Sequence, residues 1–290
     1  MKKIISLFAL LILFSLTGCN KSETEANTNT ESSSTESAKT DNLALGDYLK
    51  SKDTSKIWYT TSSRNFGKDS EIDEIYVFKD GKVAIFSGKL FSNLGELSKL
   101  TDKEILSTLE EKQISYTTKL FNDRIQKTKD VLTQAETQGD SDFKTLITEY
   151  QNKALQELTN FKVEKIKYYP YQLSITTDGS GNRTSIETIT FKKRNIKFPS
   201  WLQFIDSPDI PEIKTMLEEE DYKLIDKVNE DTLTLSSIDI TANQSYTIYD
   251  SDYKAIEYGS RSIICNRIND PSISIYPDGP GSKGVKIDEE

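Results

Sequence analysis

The sequence predicts an α+β fold: an antiparallel β-sheet system, a sandwich or an open barrel, with an inserted antiparallel helical hairpin. Three observations predict it. Residues 56–88 read as strands. A stretch free of Gly and Pro between Gly95 and Gly139 then carries apolar residues at helical spacing. From Lys162 the apolar period falls back to two. Strands, then helices, then strands do not make wound βαβ units. The alternative arrangement is two β-rich units with the helices between them.

The elements follow in chain order. Residues 56–61 form a first strand, and 72–79 with 82–87 form a hairpin about Asp80-Gly81, a turn whose two residues tolerate positive φ. Ile75 and Val77 alternate with Tyr76 and Phe78, so both faces of the second strand are apolar and it should be buried on both sides. Thr101 and Glu104 have the spacing of a capping box, in which each side chain satisfies the other's free amide. Phe121, Ile125, Thr128, Leu132 and Ala135 then line one helix face. Unbroken from 102 to 138, that helix is about 55 Å long, so it should break near 113–118 or project. Gly139 suits a helix end, and Asp140 or Ser141 the next start. Phe143, Ile147, Tyr150, Ala154, Leu158 and Phe161 make the face of a second helix, which completes an insertion at 101–161. Beyond it, Tyr169, Tyr171, Leu173 and Ile175 share a strand face, and 178–182 turn into a strand at 184–193. An irregular stretch at 198–209 leads to a short helix at 211–220, started by Pro211. Short strands are expected at 232–238, 246–249, 255–258 and 262–265. The segment 270–290, with Pro271, Pro277 and Pro280, reads as a loose tail.

The N-terminus reads differently. Lys2 and Lys3 precede a short apolar run, Ile4 to Leu16, too short to span a bilayer. It ends in Leu16-Thr17-Gly18-Cys19, which resembles the lipobox of bacterial lipoproteins. The resemblance implies cleavage after Gly18 and a diacylglyceryl group on the Cys19 thiol, hence a membrane partner reached through lipid and a place on the outer face of the cell membrane. Two acyl chains anchor stably where one is marginal. Residues 20–41 hold 14 Ser, Thr or Glu among 22 and no aromatic, the composition of a disordered linker reaching about 25 Å. The expected organisation is a signal peptide at 1–18, a lipidated Cys and linker at 19–41, a folded domain at 42–269 and the tail at 270–290.

Charge and composition exclude several functions. With 37 Lys+Arg against 46 Asp+Glu, the chain carries −9. Loss of 1–18 removes two lysines and no acid, leaving −11. Such a chain is a poor nucleic-acid partner. It has no histidine, so Ser-His-Asp and Cys-His nucleophiles and HExxH zinc sites are out. No metal or cofactor motif is read, so neither is expected. Cys265 is the only cysteine besides Cys19 and lies in an apolar stretch, where it reads as a buried core thiol.

Four patterns could carry chemistry. Asp178, Ser180 and Asn182 have the opening spacing of a calcium loop, but Ile189 stands where the bidentate Glu belongs, so a hairpin turn is expected. Ser141/Lys144 and Ser251/Lys254 match S-x-x-K without its companion motifs. The run Glu218, Glu219, Glu220, Asp221 reads as a solvated helix end. Tyr168, Tyr169 and Tyr171 could form a binding platform with Trp201, the candidate binding residue because it sits in a Pro-bracketed loop.

A second resemblance is carried by Ile57-Trp58-Tyr59, Gly67-Lys68-Asp69, Ile75-Tyr76-Val77-Phe78, Gly81-Lys82-Val83 and Leu94-Gly95-Glu96-Leu97-Ser98. This order is similar to uncharacterised surface lipoproteins of lactic-acid bacteria and related Firmicutes. It implies a Gram-positive cell surface and assigns no activity. The expected function is therefore a non-catalytic surface lipoprotein that binds a wall component, a peptide or a protein. Two alternatives stand beside it: an envelope hydrolase using carboxylates or a Ser/Lys pair, and a solute-binding protein feeding a transporter.

Overall fold

The computed structural model describes residues 42–51, 55–62, 66–138, 141–198, 222–237, 240, 244–258, 262–268 and 273–288. They belong to one compact unit, Lys39–Glu290. The signal peptide, Cys19 and the linker lie outside the described residues, as do Trp201, the 211–220 helix and the acidic run Glu218–Asp221.

The fold is α+β. The strands are β1 (Asn42–Ala44), β2 (Lys56–Thr61), β3 (Glu74–Lys79), β4 (Lys82–Ser87), β5 (Tyr169–Thr177), β6 (Thr184–Lys197), β7 (Ile225–Ser236), β8 (Gln244–Ile248), β9 (Ser251–Tyr258), β10 (Ser262–Ile268), β11 (Ser274–Tyr276) and β12 (Val285–Ile287). The α-helices are α1 (Leu45–Lys50), α2 (Leu94–Ser98), α3 (Asp102–Gln138) and α4 (Ser141–Asn160). Among the described residues one sheet runs β7-β6-β5-β4-β3-β2-β10-β9-β8, antiparallel throughout, and β12 joins it in parallel with β5. The alternative of two separate β units does not hold, because this sheet is continuous among the described residues.

The sheet folds back on itself. Trp58, Tyr76, Phe78, Ile256 and Ile264 from one half share a core with Leu173, Ile189, Phe191, Leu233 and Leu235 from the other. The opposite face of the first half, with Tyr59, Ile75, Val77, Phe86 and Tyr253, packs against Leu94, Leu97, Ile105 and Leu109 of α2 and α3. β3 is buried on both faces, as its doubly apolar sequence predicts. Its hairpin to β4 turns on Asp80 (φ 51°) and Gly81 (φ 70°).

The capping box forms as read. Glu104 N–H donates to Thr101 Oγ1 at 3.3 Å, and Thr101 N–H to Glu104 Oε2 at 2.7 Å. Arg267 of β10 reaches into the corner between α2 and α3. Its guanidinium donates to the carbonyls of Leu97 (3.1 Å), which also accepts from Leu100 N–H, and of Leu100, and lies 3.4 Å from Asp102 Oδ1. The helix α3 does not break. Its N-terminal half docks on the sheet, and its continuation packs against α4 through Phe121, Ala154 and Leu158.

Two expectations fail. The 270–290 segment is not a loose tail over the residues described, because β11 pairs with β1, β12 pairs with β5, and Ile275 is buried. Pro and Gly there end strands rather than prevent them. The strand expected at 232–238 begins at Ile225, since 225–230 pairs with Lys192–Lys197 as an exposed ribbon. Exposed on both faces, that ribbon has no apolar alternation to betray it.

Asp278 anchors the C-terminal segment. Its carboxylate accepts from Gly46 N–H at 2.6 Å, and its own N–H donates to Glu187 Oε2 at 3.0 Å. A Cβ on Gly46 would lie 2.7 Å from Asp278 Oδ2, so the contact requires glycine. Burial first, and the Asp278 carboxylate next, push Glu187 up to about 9 from an ordinary 4.5. The folded chain therefore keeps a proton on Glu187 that the unfolded chain releases above about 4.5. The stability this proton contributes is complete below that value and is lost progressively up to about 9. Glu187→Gln should thus gain melting temperature over the parent, and the gain should widen steadily from pH 5 to pH 8 in thermal melts. A gain independent of pH would show that Glu187 is charged when folded.

Candidate functional site

The sheet is weakest where its two halves meet. β4 and β5 pair only at Lys82↔Pro170 and Val83↔Tyr169, and residues 161–168, which lead into β5, form no strand. A cleft of about 420 Å³ opens in this gap, within the range of small-ligand sites. Tyr116, Leu120 and Phe121 of α3 form one wall, and Phe161, Val163 and Ile166 of the connector form another. Ile85 of β4 and Lys193 of β6 line it between them. A second hollow of about 680 Å³ shares Asp73, Glu74, Ser87 and Tyr116 with the first, so the two run together as one groove.

Local structure fixes these walls. Phe161 stacks on Phe121 with ring centroids 4.2 Å apart, and Phe198 leans on the same ring at 4.9 Å. These contacts tie the connector and the end of β6 to α3. Gln113 Oε1 accepts from Ser87 N–H at 2.8 Å, which ties α3 to the end of β4.

Charges of both signs line the groove. Lys193 Nζ pairs with Glu74 Oε1 and lies 3.5 Å from Asp231 Oδ2. Burial alone would lower the Lys193 pKa, but the Glu74 and Asp231 carboxylates outweigh it and hold it above its usual value. Arg194 makes a two-pronged contact with Asp226, at 2.8 and 2.5 Å. Glu164 lies 3.2 Å from Lys167 and 3.6 Å from Arg194, and Lys192 beside them is exposed. At the other end stand Glu71 and Asp73. Partial burial, then Glu74 and Glu71, raise the Asp73 pKa, and no cation pairs with its carboxylate among the described residues. The groove therefore combines apolar walls with charges of both signs: Glu164 lines it among the cations, and Lys89 lines the hollow that holds Glu71 and Asp73.

Of the sequence candidates, Tyr169 lines the cleft, and the other described ones fall elsewhere. Trp201 and Cys19 lie outside the described residues. Tyr171 packs edge-on to Phe78 in the core, while Tyr168 is exposed, so the tyrosines form no common platform. Asp178 closes its turn by accepting from Ser180 N–H and Oγ, and Ile189 is fully buried opposite Leu173. Lys144 is exposed on α4. Ser251 and Lys254, three apart on β9, point to opposite faces. Cys265 is buried, and burial pushes its thiol pKa far up, so it is inert. Among the described residues no cluster of three or more His, Cys, Asp or Glu could hold a metal ion. Glu187 and Asp278 are the pair of acids a hydrolase would favour, but both are buried and neither reaches the cleft.

Sequence reasoning missed the groove. Its available signals were Lys192-Lys193-Arg194 inside a strand and Glu71, Asp73 and Glu74 at the entry to another. Compared with known protein families, curated proteins and solved structures, the chain matches none.

The Glu74–Lys193 pair is about a quarter exposed on both sides. A double-mutant cycle with Glu74→Gln and Lys193→Met in urea should give a coupling of about 1–2 kcal/mol, between exposed and buried pairs. Coupling near zero would mean the pair does not hold the floor of the cleft together.

Proposed function

We propose that this chain is a membrane-anchored cell-surface lipoprotein, related to the Firmicutes surface lipoproteins it resembles, and that it works as a non-catalytic binding module. The carrying observation is the groove itself. It offers apolar walls and charged side chains of both signs, while the Glu187 and Asp278 acids lie buried in the core. The anchor rests on the lipobox sequence and on a linker long enough to hold a domain off a membrane. Among the described residues no helix is long and apolar enough to cross a membrane, so attachment through Cys19 is the route the sequence offers. The runner-up, an envelope hydrolase, has in its favour only the raised Glu187 carboxyl, which no substrate reaches in this arrangement.

Two measurements test the reading. Cys19→Ser should move the protein from the membrane fraction to the soluble fraction and abolish labelling by radioactive palmitate. An unchanged membrane fraction would remove the anchor. A thermal-shift screen of residues 42–290 against peptides, sugars, peptidoglycan fragments and divalent metals tests the binding. A ligand at about 100 times its Kd adds about 2.7 kcal/mol, which raises the melting temperature by roughly 5–10 °C in a domain this size. A flat screen on a cooperatively melting protein would contradict a small-ligand site.

A further inference from the structure

Resting on the reading of the cleft as the binding site, we propose that residues 165–168 of the connector are a strap that closes the cleft by pairing with β4, and that Gln113 is the latch that holds it open. The existing ladder sets the register. A two-residue turn makes its flanking residues, Lys79 and Lys82, a hydrogen-bonded pair. Val83, Ile85 and Ser87, at the opposite parity, direct their backbone groups away from β3. Val83 is met there by Tyr169, and Pro170, which has no N–H, falls opposite Lys82, where no bond to β5 is due. Continued back along the chain, the same register sets Lys167 opposite Ile85 and Lys165 opposite Ser87. Those two rungs are not made. The pairing ends at Val83, and Ile85 and Ile166 line the cleft that lies in their place.

The strap has the sequence and the facing that closure requires. Val163, Ile166 and Tyr168 are strand formers, and Pro170 confines Tyr169 to extended backbone. Pairing would set Ile166 opposite Phe86 and Tyr168 opposite Ala84. Ala84 and Phe86 belong to the core beneath α2 and α3, and Ile166 already packs against that core. Closure therefore brings Ile166 into the cleft on the face it already occupies, and no side chain has to cross the sheet.

Two fixed points bound the moving piece. Phe161, stacked on Phe121, holds one end, and the Val83–Tyr169 rung holds the other. Between them Lys165 lies 3.3 Å from Glu110 of α3, an exposed ion pair of small worth. The stronger restraint is Gln113, whose Oε1 accepts from Ser87 N–H at 2.8 Å. That N–H is the donor that the Lys165 carbonyl needs for the last rung. Latch and strap compete for one hydrogen, so closure costs the Gln113 bond and gains the rungs at Ile85 and Ser87. A ligand between the walls excludes closure, and the closed fraction lowers its apparent affinity.

The test is a trap for the closed form. A hydrogen-bonded antiparallel pair has its Cα atoms about 5.5 Å apart, within disulfide reach. The double variant Ser87→Cys/Lys165→Cys in residues 42–290 should therefore form a disulfide in a glutathione buffer while keeping its melting temperature. Cys265 is buried and does not compete. The bridged protein should exchange its Ile85 amide at least about tenfold more slowly than the parent. The probe of the cleft is 1-anilinonaphthalene-8-sulfonate, an apolar ring system with one anionic group. Its fluorescence on the parent should be lost in the bridged protein and return on reduction. Gln113→Leu makes the second test without new cysteines. Loss of a mere tie would leave Ile85 exchange as fast or faster, whereas loss of the latch should slow it. A folded double variant that forms no disulfide, Ile85 exchange unchanged in the bridged protein or in Gln113→Leu, or equal probe binding by the bridged protein and the parent would each overturn the strap. If the strap fails in this way but Leu120→Glu abolishes probe binding to the parent, the cleft reading survives. If the parent binds neither the probe nor any ligand, the cleft reading fails, and disulfide formation with slowed Ile85 exchange alone decides whether the strap pairs.

Discussion

The architecture depends on one strand being buried on both faces. β3 offers Ile75 and Val77 to the helical layer and Tyr76 and Phe78 to the opposing half-sheet. None of these four can be made polar without opening one core or the other. Because a single strand serves both cores, the helical layer and the folded sheet are mechanically continuous. The Arg267 side chain strengthens the same link, since it crosses from β10 to the carbonyls that end α2 and thereby positions the first turn of α3.

From that fixed start α3 runs out over the seam between β4 and β5. Rigidity here follows from length and packing: the helix is unbroken over 37 residues, anchored below by Ile105 and Leu109 and farther along by Phe121 against Phe161. A roof held at two points keeps the seam open beneath it. The sheet pays for the fold-back by losing ladder bonds at β4–β5, and the cleft occupies the place of those bonds. The buried Glu187 does the opposite work at the far side, where it helps hold the C-terminal segment against β6 and the start of α1.

Local features were legible in the sequence because their causes are local. Asp80-Gly81 selects its turn by backbone preference, and Thr101 with Glu104 selects a helix start by two hydrogen bonds three residues apart. The doubly apolar pattern of β3 announced its double burial. The segment 273–288 was misread because Pro and Gly signal irregular backbone, whereas Ile275 is held by partners far away in sequence. Glu187 did carry a signal, since it shares strand parity with inward Ile189 and Phe191. Its meaning needed Asp278, 91 residues away. The groove was illegible for the same reason. It arises where two strands part, and nothing in either strand records where its neighbour leaves it.

The central claim is that the pairing of β4 with β5 stops at Val83 and leaves the edge of β4 open to the cleft at Ile85. Amide hydrogen exchange, resolved residue by residue on the protein without ligand, tests this most directly. Ala84 and Phe86, bonded to β3, and Val83, bonded to β5, should be strongly protected, while Ile85 should exchange orders of magnitude faster. Protection of Ile85 equal to that of its neighbours would mean that the edge is already filled and that the seam is no binding site.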